Sequence, residues 1–347
     1  MSEGEARLLR WTTAALAALL LWASGARAEP LKIRVAWITV PTSLAPILFV
    51  KPELARHLGK TYTVEPLHFQ GSSAMTTALA SGDLDIAELS YSSFAYAIQN
   101  GGMDDLRIIA DEIQDGSHGY TSVEYRALKD GPVKKVEDLK GKVVATNVIG
   151  TGTDIGLRAM LRRHGLEDKR DYTVIEASYA NMPALLEDHK ADLVTSIAFF
   201  TEPNQKFRDE SRTLFRLSDI QGVTQILSLV ARQPFLAKNH AALVDYMEDY
   251  LRSLRWYIDP ANHAEVVKIV AGFTKQPPQR FESWLLTRKD QYHDPNGLPN
   301  LEAMQHNIDV QKKMGFLKAD VQVKKYAALG IVKEAAARLN RAQAQAK

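Results

Sequence analysis

Phe69-Gln70-Gly71-Ser72-Ser73-Ala74-Met75 leads into Leu79-Ala80-Ser81-Gly82-Asp83-Leu84-Asp85-Ile86-Ala87, and these residues decide the fold. A strand ends at Phe69, a glycine and two hydroxyl residues open a helix, Gly82 closes it, and a short apolar strand follows. The same plan returns at Val143-Val144-Ala145-Thr146-Asn147, Gly150-Thr151-Gly152-Thr153-Asp154 and the apolar-periodic run 155–161. The first amides of a helix carry partial positive charge and lack an intrahelical acceptor, and glycine lets a ligand approach the backbone closely. Two such starts, in two α/β units, predict a small polar ligand held from both sides.

Outward from these stretches, strands alternate with helices. Strands are expected over 32–38, 62–69, 84–89 and 106–110, and again over 142–148, 172–177 and 191–198. Helices are expected over 45–58, 72–82, 92–99, 153–164 and 182–189. The extended runs 120–125 and 223–230 can cross from one block to the other and back. Beyond them the chain reads as mainly helical, over 241–258, 264–273, 280–286 and 301–314, with a fraying tail over 338–347. This alternation predicts an α/β fold with wound sheets, whose ligands sit outside the carboxyl ends of the strands.

Composition narrows the function. The chain has 347 residues, 46% of them hydrophobic, a formal net charge of +2 and no cysteine. Near-neutral charge gives no argument for nucleic acid or an anionic membrane surface. Without cysteine there is no disulfide, thiolate metal site, cysteine nucleophile or acylated cysteine anchor. The nine histidines form no His-Glu-x-x-His pattern, no glycine-rich loop ends in Gly-Lys-Ser/Thr, and no Gly-x-Ser-x-Gly elbow occurs. No catalytic residue, metal or cofactor is therefore expected. At the N-terminus, Arg7 and Arg10 precede an apolar run over 11–23 and then Ala26-Arg27-Ala28. That order reads as a cleavable secretory signal over 1–28, too short to span a bilayer comfortably.

Taken together, Phe69-Gln70-Gly71-Ser72-Ser73, Ala78 through Ala87, Val136-Glu137-Asp138-Leu139-Lys140-Gly141-Lys142-Val143, Glu202-Pro203, Gly315-Phe316-Leu317 and Lys324-Lys325-Tyr326 form an ordered set. In that set the chain resembles the periplasmic substrate-binding proteins of nitrate, sulfonate and taurine ABC importers, a domain family shared with thiamine-pyrimidine binders. The resemblance implies a two-lobed, type II periplasmic-binding-protein fold, each lobe a wound mixed sheet flanked by helices, with a hinge of two crossing strands. It places lobe one at 29–119 and 224–347 and lobe two at 120–223. It further implies a soluble periplasmic monomer that captures a small molecule in the cleft and delivers it to a membrane permease.

The candidate ligand-binding residues are Trp37, Ser72, Ser73, Ser90, Tyr91, Thr151, Gly152, Thr153, Asp154, Phe200 and Glu202. Each has a plainer alternative. The serines and threonines can be ordinary helix caps, and Asp154 can simply favour a helix's first turn. Trp37 and Tyr91 can be core residues, and one of Phe199 and Phe200 is expected to pack inward. The cleft loops contain no arginine or lysine, which favours an oxyanion with spread charge, such as a sulfonate, over a carboxylate clamp. Asp154 and Glu202 could receive an amine, as in taurine, with Trp37 and a phenylalanine on the carbon portion. A planar pyrimidine or aromatic acid between the aromatics is the alternative, as is a protein presenting its ligand to a receptor. A dinucleotide enzyme is the distant one, resting on Gly150-x-Gly152-x-x-x-Gly156 with Glu176 about 20 residues on.

The signal reading generates a test. N-terminal sequencing of the exported protein is expected to begin at Glu29; a membrane-bound product retaining Met1 would refute it.

Overall fold

The computed structural model describes residues 29–345, so the expected signal segment lies outside the described residues. The strands are β1 (Leu31–Trp37), β2 (Tyr62–His68), β3 (Ile86–Ser90), β4 (Leu106–Asp115), β5 (Val123–Leu128), β6 (Lys142–Thr146), β7 (Tyr172–Glu176), β8 (Leu193–Ile197), β9 (Ser211–Arg216) and β10 (Thr224–Arg232). They form two five-stranded sheets, ordered β2-β1-β3-β10-β4 and β7-β6-β8-β5-β9. In the first, β1 runs parallel to β2 and β3, while β10 enters antiparallel between β3 and β4. In the second, β6 is parallel to β7 and β8, and β5 is antiparallel between β8 and β9. Both are wound mixed sheets flanked by helices.

Burial explains the strand composition. Ile86 to Ser90 is buried throughout, as a strand covered on both faces must be. Ile33, Val35 and Ile86 face one core with Leu243, Met247 and Leu254 of helix His240–Tyr257. Ala36, Ala87 and Leu89 face the other, with Met304 and Ile308 of helix Leu301–Lys313. The helical C-terminal region thus covers both faces of the first sheet.

Two adjacent crossings join the sheets. Between β4 and β5 the chain turns at Gly116 (φ 73°), and between β9 and β10 at Gly222 (φ 62°), a left-handed region that glycine enters without strain. Asp115 clasps the first crossing, its Oδ1 accepting from the backbone of Ser122 at 2.6 Å and of Val123 at 3.3 Å. Thr224 pairs directly with Asp115, so both crossings lie side by side.

Three expectations are corrected. The stretch 45–58 is not a long helix but turns around a short 3₁₀ segment, Leu48–Val50; Pro52 removes an amide and obstructs the carbonyl of Leu48. Residues 280–286 likewise form turns after the 3₁₀ segment Pro278–Arg280. The tail through Gln345 is the end of helix Gly330–Gln345, anchored by buried Leu339. The sequence reading also missed β9, a short edge strand beside β5.

Several acids are buried around β4. Burial pushes Asp111 up to about 7 and Asp115 and Asp290 up to about 6, from an ordinary value of 3.8. Burial lowers His293 to about 4. A raised acid binds its proton in the folded chain before the unfolded one, so its contribution to stability is full below its unfolded value and lost as pH rises through the folded one. His293 works in the opposite sense, losing stability as pH falls below 6.5. The acids outnumber it, so the thermal unfolding midpoint should rise as pH falls from about 8 to about 5.5. A flat or falling midpoint in scanning calorimetry would contradict these buried acids.

Candidate functional site

The parallel strands of both sheets end towards one cleft. Ile38 follows β1, Ser90 ends β3, Asn147 follows β6 and Ile197 ends β8, and all four line a single cavity. The crossings supply its floor through Ile113, Val123, Ile226 and Leu227. The cavity volume is about 60 Å³. That size suits a small solute.

Two helices start at this cavity. Helix Ser72–Ser81 follows an extended Gly71 and has no side-chain cap. The cap position is Gly71 itself, which has no side chain, and Ser72 Oγ lies 3.2 Å from Ser90 Oγ and 2.9 Å from Ser93 Oγ. Helix Gly152–Arg163 also lacks a side-chain cap, since Thr151 Oγ1 donates to the Val148 carbonyl at 2.8 Å. By contrast, Ser90 caps helix Tyr91–Gly101, accepting from Ser93 N at 3.1 Å. Gly71, Ser72, Thr151, Gly152 and Thr153 all line the cavity, so two sets of first-turn amides face it from opposite lobes.

Of the expected residues, Ser72, Ser90, Thr151, Gly152 and Thr153 come together here, and the others lie elsewhere. Trp37 packs against His68 and Phe273, at centroid distances of 4.5 and 5.7 Å; strand alternation sends it to the opposite face from Ile38. Ser73 lies beside Gly150 of the other lobe. Phe200 stacks on Tyr179 at 6.2 Å, one layer behind the cavity, while Phe199 packs on Phe281 and Trp284. Asp154 is buried and committed: its oxygens accept from Arg158 Nε and from Gly150 N, each at 2.9 Å. Burial pushes its carboxyl upward against the pull of Arg158. Glu202 pairs with Lys289 at 2.9 Å. Neither acid lines the cavity, so the expected amine-receiving role for Asp154 and Glu202 is not supported by their positions. Glu176 accepts from Ile149 N at 2.5 Å, which holds its own loop rather than presenting a carboxylate to a ribose.

Thr39, Thr42, Asn147, Tyr179 and Gln291 also line the cavity and were missed. Asn147 stood within the expected strand 142–148, and the two threonines just after the expected strand 32–38. Gln291 carried no local signal, because it arrives from a turn distant in sequence.

Across the cleft the lobes touch. Tyr91, fully buried, donates its hydroxyl to the Gly152 carbonyl at 3.0 Å, and Ser92 donates to Gly150 O at 2.9 Å. Asn147 Nδ2 reaches Gln70 O at 3.2 Å, and Arg162 bonds the Met314 carbonyl and lies over the Phe316 ring.

A family model described as NMT1-like matches residues 26–271. The chain belongs to the NMT1-like family. In fold it is similar to the alkanesulfonate-binding protein SsuA from Xanthomonas axonopodis pv. citri bound to MOPS, at 16% identity and a TM-score of 0.68, covering 87% of this chain and all 100% of that one. It is similar too to the periplasmic aliphatic sulphonate binding protein SsuA from Escherichia coli, at 17% identity and 0.65, covering 86% and 92%. The periplasmic nitrate-binding protein NrtA from Synechocystis PCC 6803 matches at 16% and 0.68, covering 90% and 89%. At these identities the likeness is one of architecture, and the architecture is the two-lobed periplasmic-binding-protein fold.

Gly152 lines the cavity and also meets the other lobe. It is not among the positive-φ residues, but a Cβ there would stand 2.9 Å from Tyr91 Cε1 and 3.5 Å from Ser90 Cβ. The glycine is needed for the lobes to meet. Overpacking of this kind costs about 1–3 kcal/mol. Gly152→Val should therefore weaken solute binding by about tenfold or more, with the solute-saturated radius of gyration staying above the wild-type value. Wild-type affinity and compaction in the folded variant would show that this contact is dispensable.

Proposed function

We propose that this protein is the extracytoplasmic solute-binding component of an ABC importer, taking a small organic anion into the interlobe cavity, with an organic sulfonate as the first choice. The observation that carries the reading is the pair of uncapped helix starts, one from each lobe, facing one cavity. Amides at helix starts stabilise an anion without a cationic side chain, and none of the lining residues is charged. A sulfonate spreads its charge over three oxygens, which suits several amides better than one bidentate clamp. The apolar floor of Ile113, Val123, Ile226 and Leu227 would cover the carbon portion.

The fold supports the same reading. Two lobes joined by two crossings can close around a solute by hinge bending, and the solved neighbours named for sulfonate and nitrate share that fold. In this reading the chain acts as a periplasmic monomer, its partners are the solute and a membrane permease, and it catalyses no reaction.

A thermal-shift panel of alkanesulfonates, taurine, nitrate, pyrimidines and aromatic acids tests the choice. A solute at 100 times its Kd should stabilise the protein by about 2.7 kcal/mol. Stabilisation by sulfonates is expected. Stabilisation by ring compounds alone would overturn the sulfonate choice and transfer the main contacts to Tyr179.

A further inference from the structure

We propose that Gln291 is a specificity-determining residue of the cleft, whose carboxamide reads a neutral hydrogen-bonding group, such as a hydroxyl, at the end of the solute remote from the helix starts. This rests on the reading of the cleft as an anion-binding site.

Gln291 lines the cavity and is only 6% exposed, and its side-chain oxygen has no hydrogen-bond partner among the described residues. A buried amide left unpaired costs folding free energy unless something else satisfies it. The residue is held firmly. Its backbone N–H donates to Asp290 Oδ1 at 2.8 Å, while Asp290 Oδ2 accepts from Leu286 N at 2.9 Å. The next residue, Tyr292, exchanges backbone bonds with Gln114 of β4 at 2.9 and 3.1 Å. Its backbone is thereby fixed at the cavity wall, as the scaffold of a recognition group must be.

Its chemistry sets the group. A carboxamide both donates and accepts, which a hydroxyl can answer in either sense. An ammonium would instead require a carboxylate to offset its desolvation; Asp154 is paired with Arg158 and Glu202 with Lys289, and the adjacent Asp290 accepts from Leu286 N and Gln291 N. A methyl terminus would leave the amide unanswered.

Matched anions that differ only at the far end decide the matter by calorimetry on the mature protein, freed of co-purified solute. Ethanesulfonate, isethionate and taurine form one series; propionate, 3-hydroxypropionate and β-alanine form the other. The hydroxyl member of a bound series is expected to bind about tenfold more tightly than its methyl and ammonium counterparts. Gln291→Leu should abolish the preference for hydroxyl over methyl, and Gln291→Glu should reverse the order of hydroxyl and ammonium. Circular dichroism confirms the fold of each variant. If wild type binds an anion series without discriminating its ends, or both variants keep wild-type preferences, the role of Gln291 is refuted while the anion site stands. If wild type binds neither series, the anion reading fails and the Gln291 assignment falls with it.

Discussion

The pairing of β10 with β4, from Thr224 opposite Asp115 to Arg232 opposite Leu106, ties both ends of the second sheet's chain to neighbouring positions on the first. Every strand from β5 to β9 is inserted between those two paired strands. The second lobe therefore hangs from two side-by-side crossings, with one clasped by the Asp115 carboxylate and both turning at glycines of positive φ. Such a connection permits rotation about the crossings and resists separation. The apolar floor of the cavity is made from these same strands, through Ile113, Val123, Ile226 and Leu227, so the bend and the binding surface share residues.

Because the lobes meet at their helix starts, the uncapped amides and the closing contacts are neighbours. Tyr91 donates to the Gly152 carbonyl, at the first residue of the helix whose amides face the cavity. The first helix has Gly71 at its cap position, which offers no side chain, and Thr151 at the second donates to the Val148 carbonyl. Both helices therefore start without a side-chain cap at the wall of one small cavity.

Behind the loop that carries Thr39 and Thr42 lies a buried pair of acids. Ser43 donates to Glu88 at 2.6 Å, and Glu112 accepts from Leu44 N at 3.0 Å and from the Tyr250 hydroxyl at 2.8 Å. Burial raises both carboxyls, and the Glu112 charge raises Glu88 further. Through Ser43 and Leu44 this pair holds the loop, and neither acid lines the cavity.

Much of the architecture was legible in local patterns. Glycine and hydroxyl residues at the two strand–helix junctions, continuous apolar runs such as Ile86 to Leu89, and extended segments near 120 and 224 marked the α/β units and their crossings, because turn chemistry and strand burial are written in neighbouring residues. Placement of side chains across the cleft was not local. Trp37 and Ile38 are adjacent in sequence but face opposite sides of β1. Asp154 lies in a cleft-facing helix yet is taken by Arg158 one turn on. Gln291 arrives from a segment with no periodicity to announce it. Local patterns carried two wound sheets, two crossings and two helix starts beside strand ends. Which side chains face the cavity was settled by long-range packing, because that depends on which polar groups find partners from distant parts of the chain.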